Sequence, residues 1–146
     1  MAGALLSLLG LLLATYLYLF KIGKIGTLAC GNGACEIVQL SSYSRFLGIE
    51  VALIGVAGYA LLLGLNLAAL QTTSGSRGWP DRLVLTLAGL GVAFTAYLTY
   101  LELFVIHAVC RWCVTSAGLI TSLFVISALS WRSGSHTSGR AGVPGR

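Results

Sequence analysis

Cys110 and Cys113 stand three positions apart in the run His107-Ala108-Val109-Cys110-Arg111-Trp112-Cys113, between two long apolar stretches. Two thiols at i and i+3 on the start of a helix share a face, so their sulfurs can bond to each other. The helix dipole and Arg111 both favour a thiolate, which predicts an exposed outer thiol that attacks or leaves readily. An inert structural disulfide is the plain alternative. A bridge across three residues restrains little chain entropy, so redox chemistry is the better use of the pair. Cys30 and Cys35 form a second pair around Gly31-Asn32-Gly33-Ala34, a turn sequence that lets a small loop disulfide close. If both pairs lie on one face, a thiolate from one can attack the disulfide of the other. Four thiolates at these spacings could also hold zinc, as a non-catalytic metal-binding module, but a membrane surface gives a closed zinc site little to organise.

Four more residues are candidates around the thiols. Glu102 is an acid within an apolar run, where a carboxylate is costly unless it faces polar partners. His107, three residues before Cys110, could orient an acceptor or shuttle a proton. Trp112 could flank a flat ring. Ser41 lies six residues after Cys35, beside the thiols.

The elements that must position these residues follow from composition. Of 146 residues, 57% are hydrophobic and only 9% are charged. Mean hydropathy is +0.91. A soluble domain carries about 25% charged residues, so this is a membrane chain. The net charge of +5 falls in the gaps between apolar runs and does not point to nucleic acid. The pattern predicts an all-α membrane domain over residues 1–131, a four-helix bundle with spans at about 4–20, 51–70, 83–106 and 111–131. A disordered Gly/Ser/Arg tail is expected over 132–146. Tyr16, Tyr18 and Phe20, followed by Lys21 and Lys24, make an aromatic belt with snorkelling lysines. From Ala34 to Leu47 the apolar positions Ile37, Leu40 and Leu47 predict a short amphipathic helix on the membrane surface. Asn32 or Gly33 would cap it, which puts Cys35 in its first turn. Gly55, Gly58 and Gly64 would let a neighbouring helix approach closely. Residues 71–82 should be a polar turn. Four spans bring both cysteine pairs to the same side. Basic residues divide almost evenly between the two sides, so orientation rests on disulfides persisting outside the cytosol.

The run from Tyr97 to Cys113, Cys35 through Gly48 with Ser41, and Gly48-Ile49 followed by Gly55 to Tyr59 resemble bacterial homologues of vitamin K epoxide reductase. The order of a loop pair, a serine and a CxxC on the last span carries the likeness, over roughly residues 5 to 130. The resemblance implies a bundle around a quinone, ubiquinone or menaquinone, capped by the loop and surface helix. It implies that Cys113 meets the quinone and Cys110 exchanges with Cys35. Cys30 would then exchange with a separate thioredoxin-like (DsbA-like) extracytoplasmic protein, and Ser41 would bond near the quinone carbonyl. It places the protein in a bacterial plasma membrane, among lipid, with the cysteines facing outward. Ala117 stands where vertebrate members carry a tyrosine, which weakens the alternative of vitamin K epoxide reduction. Glu50 stands where a proline is common in the family, which bears on how the surface helix ends.

Overall fold

The computed structural model describes residues 1–31, 33–71 and 79–138. The chain starts with α1 (Ala2–Lys21) and a glycine-rich loop, then the short helix α2 (Ala34–Leu40). A 3₁₀ turn (Ser42–Ser44) leads into a two-stranded hairpin, β1 (Arg45–Phe46) and β2 (Ile49–Glu50). Three long helices complete it: α3 (Val51–Gln71), α4 (Trp79–Leu101) and α5 (Arg111–Ser138). A π-helical turn, Glu102–Ile106, extends α4.

Four helices are long and apolar enough to cross a membrane: Ala2–Lys21, Val51–Gln71, Trp79–Ile106 and Arg111–Ser133. The fold is the expected all-α membrane bundle. The third span begins earlier than its apolar run, because Pro80 and Asp81 form a favourable first turn. The last helix continues to Ser138 instead of ending at Trp131. Residues 72–78 and 139–146, and with them most of the expected polar turn and half of the expected tail, lie outside the described residues, as does Asn32.

Each long helix has two neighbours. α1 packs on α3 and α5, and α4 packs on α3 and α5, which closes a ring. Ala14, Tyr59, Leu62, Ala88, Ile120 and Leu123 are buried at its centre. Leu5, Leu12, Leu61, Leu90 and Leu129 are exposed on the outside, where a lipid environment suits them. Close helix approach does come from small residues, but not from those expected. A Cβ on Gly10 of α1 would fall inside the Tyr59 ring of α3. One on Gly91 of α4 would meet the Ile120 side chain at 2.8 Å. Gly55 only touches Ala14 at 3.4 Å, and Gly58 and Gly64 face open space.

The surface helix is shorter than the apolar pattern predicts. It ends at Ser41, whose extended backbone (φ −65°, ψ 155°) breaks it. Beyond it, Leu47 (φ 53°) and Gly48 (φ 83°) make a two-residue turn with both residues at positive φ. That is the geometry of a tight hairpin, with Arg45 opposite Glu50 and Phe46 opposite Ile49. Arg45 and Glu50 approach to 3.7 Å. Phe46 sets its ring edge-on to Phe94 of α4, 5.6 Å between centroids, which docks the hairpin on the bundle. Lys21 ties the cap to α1: its Nζ donates to the Gln39 carbonyl, and to Ser44 Oγ at 2.6 Å.

Candidate functional site

Cys30 and Cys35 are joined as a disulfide, with Cα atoms 6.1 Å apart. Gly31 (φ 76°) and Gly33 (φ 68°) supply the left-handed backbone that this small loop needs. Gly33 is the N-cap of α2, so Cys35 sits in its first turn, as expected. Glu36 holds the loop from outside, its Oε1 accepting from the Leu28 N–H at 3.2 Å. Tyr16 Oη accepts from the Ala29 N–H, also at 3.2 Å.

Cys110 and Cys113 are free thiols. The π turn brings the chain round to them: the His107 N–H returns to the Glu102 carbonyl, and His107 takes a left-handed backbone (φ 55°). Only residues 107–110 then separate two helices. Cys110 stands at the N-cap place of α5, its carbonyl accepting from the Val114 N–H at 3.0 Å. Cys113 lies one turn further in. The expected exposed outer thiol is not found: Cys110 is fully buried, and Cys113 is the more open of the two. The reason is the cap. Cys30, Cys35 and Cys110 are buried in one cluster with Leu17, Leu28 and Val38, and Cys113 packs against it. Both couples therefore occupy the same end of the bundle.

The electrostatics centre on one proton. The Cys113 thiol donates toward the Cys110 sulfur and shares the cavity lining with Glu102. Its hydrogen bond holds the Cys110 thiol below the ordinary thiol range, against burial and the nearby Glu102, which push it up. The α5 N-terminus acts in the same direction as the hydrogen bond. Glu102 is buried, and its Oε2 accepts from the Cys110 backbone N–H at 3.1 Å. Neither Arg111 nor Lys24 pairs with it.

Beneath the thiols is a cavity of about 300 Å³ between all four long helices. Its walls are apolar, with Leu17, Ile54, Phe94 and Leu98 among them. Its polar groups are few: Gln39, Glu102, Cys113, Tyr59 and Ser116, with Thr95 and Thr99 on α4. Tyr59 Oη donates to the Ser116 carbonyl at 2.9 Å and lies 3.0 Å from Ser116 Oγ. Apolar walls with a few convergent polar groups are what a small organic ligand needs.

Of the residues singled out in the sequence, Glu102 and Cys113 line this cavity. Ser41 does not. It lines a smaller adjoining recess with Cys113 and Glu102, and its hydroxyl donates to the Val38 carbonyl at 2.7 Å. His107 is exposed in the turn. Trp112 sets its ring edge-on to Tyr16, 5.6 Å between centroids, and so fixes the start of α5 against α1. Neither His107 nor Trp112 lines the cavity.

Gln39 is the residue that the sequence reading missed. It is buried, lines the cavity, and its Nε2 lies 3.9 Å from the Cys113 sulfur as a donor. The signal was its place four residues after Cys35, on the same helix face. A donor there stabilises a Cys113 thiolate. Replacing Gln39 by Leu should therefore slow alkylation of Cys113 by a small neutral reagent roughly tenfold, the equivalent of one charge-assisted hydrogen bond. Site-resolved mass spectrometry measures this directly.

A sequence profile described as the Vitamin K epoxide reductase family matches residues 1–128.

Proposed function

The chain belongs to the vitamin K epoxide reductase family of membrane oxidoreductases, and from that premise we propose that it oxidises a thioredoxin-like protein and passes the electrons to a quinone. The observation that carries this reading is a closed disulfide and a dithiol gathered in one apolar cluster, beside an apolar cavity that Cys113 lines.

Members of the family generally use quinones and work with thioredoxin-like partners. The cavity suits a quinone ring: apolar walls, with the Gln39 amide and the Cys113 sulfur together on its lining and the Tyr59–Ser116 pair also on it. A bound quinone would supply a two-electron, two-proton acceptor beside Cys113. Gln39 and Glu102 would orient its ring against the sulfur, and Ser41 would support the recess next to it. His107 would act at the turn and Trp112 through its packing on Tyr16, each at one remove from the ring.

The protein's own steps are thiol–disulfide exchanges. A thiolate of the partner attacks Cys30 and releases Cys35, and the partner's second thiolate then breaks that bridge, so the partner leaves as a disulfide and Cys30 is freed. The Cys35 thiolate attacks Cys110 once the helix pair is oxidised, Cys113 leaves toward the cavity, and Cys30 then closes on Cys35 and releases Cys110. Each step moves an electron pair toward the stronger oxidant. Buried Cys30 must come within the partner's reach, and the Gly31–Gly33 turn is the segment that allows it. The cysteine rim would face the exterior of a bacterial plasma membrane, where disulfides persist.

The test is quinone reduction by the purified chain with a reduced thioredoxin-fold protein as donor. Turnover is expected with ubiquinone or menaquinone and to depend on the donor. Turnover with vitamin K epoxide and none with quinones would overturn the reading. Alongside, Cys35→Ala mixed with the oxidised form of the same thioredoxin-fold protein should capture it as a mixed disulfide, the free Cys30 thiolate attacking the partner's disulfide and releasing one partner thiol.

A further inference from the structure

We propose that Glu102 is the proton acceptor of the Cys110/Cys113 couple: when the two thiols close to a disulfide, its carboxylate retains one of the two protons they release. The proposal deepens the function proposed above and rests on that redox reading of the pair. It does not require the quinone.

The geometry argues as follows. Glu102 is 3% exposed and lies in the cavity wall with Cys113. In the dithiol state its carboxylate accepts from the Cys110 N–H at 3.1 Å, and it shares the linings of both the cavity and the smaller recess with the Cys113 thiol. Oxidation leaves that N–H in place and strips the neighbouring thiols of their protons, so the carboxylate is the buried base beside the protons released. A buried carboxylate without a cation is stabilised by taking up a proton.

No cation is placed to answer. Among the described residues the one ion pair joins Arg45 and Glu50. Lys21, at the end of α1, is engaged by Gln39 and Ser44. From α2 the facing group is the neutral Gln39 amide, and from the 3₁₀ turn Tyr43. From α3 it is Tyr59, already bonded to Ser116. At the start of α5 the titratable groups beside it are Cys110 and Cys113, and Arg111 is exposed. On its own segment His107 is exposed in the turn.

The balance is explicit. The Cys110 and Cys113 S–H bonds break and one S–S bond forms. Two electrons leave to the acceptor, one proton binds Glu102 and one departs with the electrons. The oxidant is the quinone in the proposed function and glutathione disulfide in the test.

The test equilibrates the full chain in detergent with glutathione buffers from pH 5 to 8. The redox state of Cys110 and Cys113 is read by site-resolved alkylation. Glutathione formation takes up two protons, so a couple that releases two gives a pH-independent exchange constant. A couple that retains one gives a constant that falls as pH rises, by up to about tenfold per unit between the two titrations of the retaining group. The wild-type chain should show that fall, at least tenfold in all across the range. Glu102→Asp should keep it and Glu102→Gln should flatten it. A wild-type constant that changes less than twofold overturns the proposal, as does an unaltered slope in Glu102→Gln. A second measurement needs no variant: the infrared difference spectrum of the wild-type chain should gain a protonated-carboxyl band on oxidation, and its absence overturns the proposal. A sloping constant without quinone turnover would sink the proposed function alone. Turnover with a flat constant would sink this inference alone.

Discussion

Replacing Cys113 by Ala should lower donor-dependent quinone reduction on the order of a thousandfold or more, the loss expected when a covalent participant is removed. Cys113 is the thiol that lines the cavity, while Cys110 is fully buried in the cluster that holds the loop disulfide. Without Cys113 the pair cannot close, and no other sulfur reaches the cavity. Cys110→Ala should fail equally, because it severs the link to Cys35. The Cys30–Cys35 disulfide should still form in both variants, and counting it by thiol alkylation separates lost chemistry from lost fold. Turnover within tenfold of wild type in either variant would remove the relay.

The second large effect is on stability. Gly10→Val should cost about 3 kcal/mol, at the upper end for overpacking. The new side chain would occupy the space of the Tyr59 ring. Tyr59 is buried, so it must leave both its packing and its contacts with Ser116. The cavity that Tyr59 lines should lose its shape with it. Gly64→Ala is the control, since its Cβ meets nothing. It should stay within about 0.5 kcal/mol of wild type. Thermal unfolding of the two variants in detergent makes the comparison. Equal melting temperatures would mean that α1 and α3 do not meet at Gly10.

The contrast between these glycines shows where sequence reading stops. Long uncharged runs locate four spans, because only length and apolarity are needed for that. They do not say which glycine faces a neighbour. Gly58 and Gly64 shared a plausible face and touch nothing, whereas Gly10 sits in an unremarkable leucine run and carries the tightest contact. The surface helix gave a similar lesson. Its apolar stripe was legible, but Ile37 and Leu40 are exposed while Gln39 is buried. In a membrane protein the apolar side faces lipid, and the polar side can face the site. Gln39 was therefore not among the candidate site residues. The hairpin was missed because Leu47-Gly48 is not a usual sequence for a turn that needs positive φ twice.

The chemistry was better marked. The four cysteines carry their spacing in the sequence, and Glu102 was conspicuous because a carboxylate inside a span is costly. Burial of Cys110 was not legible, since it depends on a cap folded over from thirty or more positions earlier in sequence. The cavity arises from packing among four helices, which no local pattern encodes.

The account depends on electrons passing from the loop couple to the helix couple through one bridge. A variant with Cys30→Ser and Cys113→Ala keeps only Cys35 and Cys110. Under mild oxidant in detergent, mass spectrometry should find these two joined as a disulfide in most of the protein. If both instead remain free thiols while the chain stays folded, the two couples do not exchange and the account is contradicted.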